Sequence, residues 1–218
     1  MRKIFVLSLV AIFAFSLVNG VLAWGGHGGG SGSDSSDNDQ TIENSSGTIT
    51  NNITVRSSTG SNQIKLGGKI YTGDSSSYIG LNNLINTNTL SGNLRGDQSI
   101  RNSSGTVNNN LTANSYTGSN SIGTGCCRWP CNRCNNLIQT GKSSSWIDLR
   151  NGINLNSKTP GNIGTQTISG SHGTVNNNLT ANSSTGSNVI YLGGRISTGL
   201  SSGGVEVVNI VNQNIVGN

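Results

Sequence analysis

One block of this chain is written three times. TIENSSGTITNNITVRSSTGSN at 41–62 returns as SIRNSSGTVNNNLTANSYTGSN at 99–120 and as TISGSHGTVNNNLTANSSTGSN at 167–188. The offsets are 99 − 41 = 58 and 167 − 99 = 68 residues. A unit this short cannot bury its own apolar face, so a threefold repeat predicts copies that stack on one another.

The second half of each copy also recurs, and its apolar residues alternate with polar ones. IYTGDSSSYIGLNNLINTN starts at Ile70, IQTGKSSSWIDLRNGINLN at Ile138 and ISTGLSSGGVEVVNIVNQN at Ile196. A period of two, bounded by TG and NN turn signals, predicts strands. We therefore expect an all-β repeat fold, a β-solenoid of the parallel β-helix type, with three copies of about 58 residues and about two coils in each. The alternative is a β-sandwich.

The composition favours the solenoid. Hydrophobic residues make up 32% of the chain and aromatic residues 5%, and about half of the chain is Asn, Ser, Gly and Thr. Such a chain cannot fill a broad core, but it can fill a narrow apolar stripe and satisfy its polar groups by stacking. Asparagines recur at equivalent positions and predict hydrogen-bonded ladders at the corners of the solenoid; they are Asn83, Asn151, Asn209, Asn86, Asn154 and Asn212. We expect the glycine of each TG pair to supply positive φ at another corner.

The N-terminus reads as an export signal. Arg2 and Lys3 precede an apolar run, and small residues end at Ala23, which predicts a signal peptide at 1–23 with no membrane-spanning segment in the mature chain. A flexible Gly/Ser/Asp tether follows at 24–40. The remaining divisions are repeat 1 (41–97), repeat 2 (98–165) and repeat 3 (166–218).

The cysteines lie in an insertion. Repeat 2 is longer than repeat 1 by 68 − 58 = 10 residues, and the extra length falls within a Cys-rich segment at 122–137. An exported chain meets oxidising conditions, so we expect disulfides among the four cysteines with the connectivity left open; they are Cys126, Cys127, Cys131 and Cys134. A zinc site and a redox-active CxxC are the alternatives. The same segment carries Arg128, Trp129 and Arg133, residue types typical of binding hot spots, and is a candidate recognition loop.

Little in the sequence points to catalysis. After the tether no two carboxylates are close in sequence, so we expect no catalytic residues, no cofactor and no metal. A carbohydrate-active enzyme on a β-helix is a distant alternative. Once residues 1–23 are removed, 11 basic residues face 8 acidic ones, and 11 − 8 = +3 is a mild charge. The basic residues are scattered, which argues against a nucleic-acid partner.

Three Asn-x-Thr sequons occupy the same place in each copy. Asn52, Asn110 and Asn178 are candidate glycosylation sites, which we expect on a surface loop. Repetition in a chain rich in Asn and Thr also explains them.

The TG-x-SSS-x-I-x-L-x-N pattern resembles the Asn/Gly/Ser/Thr-rich repeats of secreted surface proteins of small-genome bacteria and archaea. The tether WGGHGGGSGS and the GSN-bearing repeats are loosely similar to curlin-type fibre subunits. These resemblances imply an extracellular structural or adhesive role. We expect the partner to be a cell-surface glycan or protein, or a second copy of the chain. The alternative is a subunit of an extracellular fibre that associates with itself.

Overall fold

The computed structural model of the protein describes residues 8–18, 40–90, 97–124, 135–158 and 165–216. All regular structure in these residues is β-strand. A segment near the N-terminus forms β1 (Ser8–Val18). The first copy forms β2 (Gln40–Glu43), β3 (Ser46–Ser58), β4 (Gln63–Ile64), β5 (Lys69–Tyr71), β6 (Ser75–Ile85) and β7 (Asn88–Leu90). The second copy forms β8 (Gln98–Arg101), β9 (Ser104–Tyr116), β10 (Ser121–Ile122), β11 (Leu137–Gln139), β12 (Ser143–Ile153) and β13 (Asn156–Lys158). The third copy forms β14 (Gln166–Ser169), β15 (His172–Ser184), β16 (Val189–Ile190), β17 (Arg195–Ser197), β18 (Ser201–Val211) and β19 (Asn214–Val216).

The three copies stack as a β-solenoid. Each strand of one copy pairs in parallel with its equivalent in the next, so that Ile49 lies beside Val107 and Val107 beside Val175. The prediction of an all-β, solenoid-like repeat fold is confirmed, and parallel pairing across a whole copy excludes the antiparallel sandwich.

One copy makes one coil, and the expectation of about two coils per copy is wrong. The long strands β3 and β6 belong to different sheets, one ordered β3-β9-β15 and the other β1-β6-β12-β18. Val55 on β3 and Ile79 on β6 share one apolar cluster, so these strands are the opposite walls of a single flattened coil. We call the copies coil 1 (40–90), coil 2 (98–158) and coil 3 (166–216).

The core is a thin layer between the two long sheets. Its largest cluster joins both walls and consists of Val55, Ile79, Leu81, Leu111, Ala113, Ile147 and Leu149. A second cluster comprises Ile49, Ile85, Val107 and Ile153. Inward residues alternate with outward ones along each long strand, which is the pattern that the sequence predicts.

Residues with positive φ turn the chain at several corners of each coil. Asn86, Asn154 and Asn212 have φ of 53°, 52° and 57°, a left-handed conformation that asparagine tolerates. The expectation for the TG glycines is wrong, because the positive φ falls one residue later, at Ser61, Ser119 and Ser187.

The extra residues of repeat 2 fall in sequence between β10 and β11. The equivalent connections are residues 65–68 in coil 1 and 191–194 in coil 3, against 123–136 in coil 2. Ile122, which the sequence placed in the insertion, is fully buried in the solenoid. Within the described residues no helix is long and apolar enough to cross a membrane.

Candidate functional site

The cysteine segment lies outside the described residues. Residues 125–134 hold Cys126, Cys127, Cys131, Cys134, Arg128, Trp129 and Arg133, so the disulfides and the recognition loop stay predictions. The described residues contain no group of three His, Cys, Asp or Glu side chains that could hold a metal ion.

The two asparagine ladders that the sequence predicts both run through all three coils. Asn83 Nδ2 donates to Asn151 Oδ1 at 2.7 Å, and Asn151 Nδ2 donates to Asn209 Oδ1 at 2.7 Å. This ladder stands inside the core rather than at a corner, where Asn109 on the opposite wall accepts a hydrogen bond from Asn83. The second ladder, through Asn86, Asn154 and Asn212, stands at the corner, with bonds of 3.0 and 2.7 Å. The ladders hold equivalent residues in register.

The three sequon asparagines form an exposed column in the middle of a sheet. Asn52, Asn110 and Asn178 lie on β3, β9 and β15, so they are strand residues and not loop residues. Asn110 Nδ2 donates to Asn52 Oδ1 and Asn178 Nδ2 donates to Asn110 Oδ1, both at 3.1 Å. A glycan on Asn110 or Asn178 would use the nitrogen that makes these bonds. Their modification stays a prediction.

No described residue covers the far end of the solenoid, which coil 3 forms. In coil 2, Ile147 and Leu149 are 0% exposed. Their register partners in coil 3, Val205 and Val207, are 43% and 38% exposed. These valines continue the core pattern, but β15 and β18 are the outermost strands of their sheets. Coil 3 therefore presents an apolar layer with open strand edges, a surface that natural β-proteins usually cover.

The near end, formed by coil 1, is covered on one wall by β1. This strand comes from the segment predicted as a signal peptide, and it pairs in parallel with β6 along its whole length. Ile12 lies opposite Ile79, and Ser16 lies opposite Asn83, the position of the core ladder. β1 thus takes the place that a further coil would take beside β6. On the other wall, β3 is the outermost strand of its sheet.

A column of glycines lets the coils approach closely. A Cβ atom at Gly60 would overlap the carbonyl oxygen of Gly118, and one at Gly118 would overlap that of Gly186. At Gly186 the same Cβ would meet, among the described residues, only Ser184 Oγ at 3.8 Å, because β15 is the outermost strand of its sheet. Gly60 and Gly118 are therefore required for space, whereas the space beside Gly186 is open among the described residues.

The outer face of the second wall carries an aromatic and charged patch. Tyr78, Trp146 and Gly204 share one register, and a Cβ at Gly204 would overlap the indole of Trp146. The indole therefore lies across the backbone of Gly204. Tyr78 Oη donates to Asp148 Oδ2 at 3.5 Å. Burial raises the pKa of the Tyr78 hydroxyl above its ordinary value of 10.0, and the negative charge of Asp148 raises it further.

Sequence reasoning did not single out this patch. The tripeptides YIG, WID and GVE occupy equivalent places in the three copies, and their alignment is the signal that could have found it. Asp148 and Glu206 are 58 residues apart in sequence, yet they are register partners on neighbouring strands. Proximity in a solenoid follows the copy length rather than the sequence distance.

Compared with known proteins, the chain matches no family model, no curated protein and no solved structure.

Proposed function

We propose that the protein is an exported, non-enzymatic structural subunit of the cell exterior that stacks end to end. In this arrangement coil 3 of one molecule packs on coil 1 of the next. The observation that carries the proposal is the exposed apolar layer of coil 3, with Val205 and Val207 open to solvent where the same positions of coil 2 are fully buried. Burial of such a layer is the main favourable term in association.

The equivalence of the copies supports a second molecule as the occupant. Coil 3 carries the distal surface that coil 2 carries, and coil 1 carries the proximal core pattern of coil 2. The joint between molecules would therefore reproduce the joint between coils. Such a head-to-tail contact does not close on itself, and it generates a filament.

Strand β1 would control stacking, because it occupies an edge of coil 1 that the next molecule needs. It pairs with the edge of β6 that the incoming β18 must use. Removal of residues 1–23 on export would free this edge, so the precursor would be capped and the mature chain competent to stack.

The contact between molecules can be tested with a variant that adds a single methyl group to coil 3. A protease site is placed in the tether of the full chain, the chain is cut, and the released peptide is removed by refolding from denaturant. Light scattering over a concentration series is then compared before and after the cut. We expect the intact chain to stay monomeric and the cut chain to grow with concentration. The cut Gly186→Ala variant should stay monomeric, because its new Cβ would meet the Gly60 carbonyl of the next molecule.

Ser202→Ala is the matched control. Ser202 lies on β18 in register with Ser144, on the outward face, so the variant should assemble like the wild type. A cut wild-type chain that stays monomeric at every concentration contradicts the proposal. Assembly of the Gly186→Ala variant to the wild-type extent would also contradict it.

A further inference from the structure

The aromatic and charged patch lies on the outward face of the second wall and spans all three coils. Its centre is Trp146, which is 43% exposed although it lies in the middle of β12. The absence of a side chain at Gly204 leaves the space that the six-membered ring of the Trp146 indole occupies. A partly exposed indole is a platform for stacking.

Polar groups flank this platform along the strand. On one side, the hydroxyl of Ser144 donates to Ser76 Oγ at 3.2 Å. On the other side are Asp148 and, two residues further, Arg150, whose Nε lies 3.7 Å from Asp148 Oδ1. Trp146 and Arg150 are separated by four residues, or about 13 Å along a strand. The patch therefore offers one flat apolar ring with donors and acceptors on both sides.

One carboxylate oxygen of Asp148 can accept a further hydrogen bond. Oδ1 is buried and lies 3.7 Å from Arg150 Nε, whereas Oδ2 accepts a long bond from Tyr78 Oη at 3.5 Å. A carboxylate oxygen can accept more than one hydrogen bond, so Oδ2 is the atom that a ligand hydroxyl would donate to. Glu206, its register partner in coil 3, is a second acceptor on the same face.

We propose that this patch binds a neutral, hydroxyl-rich glycan. The C–H face of a sugar ring stacks on the Trp146 indole, sugar hydroxyls donate to Asp148 and Glu206, and the Arg150 guanidinium donates to a ring or hydroxyl oxygen. Two carboxylates face one guanidinium here, which disfavours anionic sugars. One aromatic column between polar columns is also too narrow for a stable protein interface, which needs roughly 800 Å² on each partner.

This site is independent of the stacking proposed above. All its residues except Glu206 and Gly204 belong to coils 1 and 2, and the whole patch is present in one molecule. A monomer therefore binds, and failure of assembly leaves the prediction intact.

Affinity electrophoresis of the full chain tests the site. The gels contain hydroxyethyl cellulose, mannan or laminarin as neutral polymers, or alginate as an anionic one. We expect at least one neutral polymer to retard the wild type, and Trp146→Ala to weaken that affinity about tenfold or more. Trp146→Tyr, which introduces the residue of coil 1, should keep most of the binding and shows that loss in the alanine variant is not misfolding.

Tyr116→Ser is the matched control on the opposite wall. It removes an aromatic residue and introduces the serine found at the register positions Ser58 and Ser184, so binding should not change. Four results overturn the proposal. These are retardation by none of the neutral polymers, retardation by alginate alone, Trp146→Ala binding like the wild type, and shortening of a polymer by the protein, which would indicate hydrolysis.

Discussion

Replacement of Asn151 by alanine is expected to lower the free energy of unfolding by about 3 kcal/mol. Asn151 Oδ1 accepts hydrogen bonds from Asn83 at 2.7 Å and from Asn109 at 3.3 Å, and its Nδ2 donates to Asn209. The side chain is 2% exposed. Alanine would leave one N–H of Asn83 and one N–H of Asn109, on opposite walls of the core, without an acceptor.

Chemical denaturation followed by far-ultraviolet circular dichroism measures this loss. The matched control is Asn178→Ala, which removes a member of the exposed ladder that makes one bond, to Asn110. Its effect should stay within about 0.5 kcal/mol, since water satisfies exposed amides. If the two variants lose similar amounts of stability, the core ladder is not what holds the coils in register.

The variant Gly118→Ala should cost about 3 kcal/mol or more, although it adds only one methyl group. Its Cβ would overlap the Gly186 carbonyl oxygen and lie 2.9 Å from the Gly186 nitrogen. The Gly186 carbonyl also accepts the hydrogen bond from Ser119 N at 2.9 Å, so relief of the overlap would stretch the ladder between coils 2 and 3. The backbone at Gly118 does not have positive φ, so the loss of stability comes from steric overlap alone.

The same substitution at the end of the glycine column separates stability from assembly. Gly186→Ala should unfold within about 0.5 kcal/mol of the wild type in a monomeric sample, because its Cβ enters open space. Equal losses in the Gly118 and Gly186 variants, measured by the same denaturation, would mean that close approach of the coils is not the reason for glycine.

Much of the solenoid could be predicted from the repeat. The alternation around Ile79 and Leu81 gives the inward face of a strand, and the constant offset between copies makes parallel stacking the economical arrangement. The number of coils per copy could not be predicted in this way. It depends on whether the two halves of a copy pair with each other or pack across the core, and both arrangements bury the same apolar stripe.

The burial of polar residues was harder to predict from the sequence than the strands were. Ser75, Ser115 and Ser143 are 2%, 0% and 1% exposed and are linked by hydroxyl hydrogen bonds across the two walls. A run of serines in sequence indicates a loop, and only the partner wall supplies the hydrogen bonds that allow burial. The core position of the Asn83 ladder could not be predicted for the same reason.

The candidate surfaces depend on contacts across copies. The Trp146 indole has room only because coil 3 has Gly204 beside it, and Gly186 is informative only because β15 is the outermost described strand of its sheet. Both features depend on a neighbouring copy, so neither can be predicted from the strand propensity or the hydrophobic periodicity of a single strand.

The most direct test of end-to-end stacking is fibre diffraction from a concentrated sample of the chain without residues 1–23. Stacked solenoids should give a meridional spacing of about 4.8 Å and, because each molecule contributes three coils, an axial repeat of about 14 Å. The longer repeat arises because the insertion of coil 2 recurs once per molecule. A sample that stays monomeric, or fibres in which the strand spacing occurs without the 14 Å repeat, would contradict end-to-end stacking.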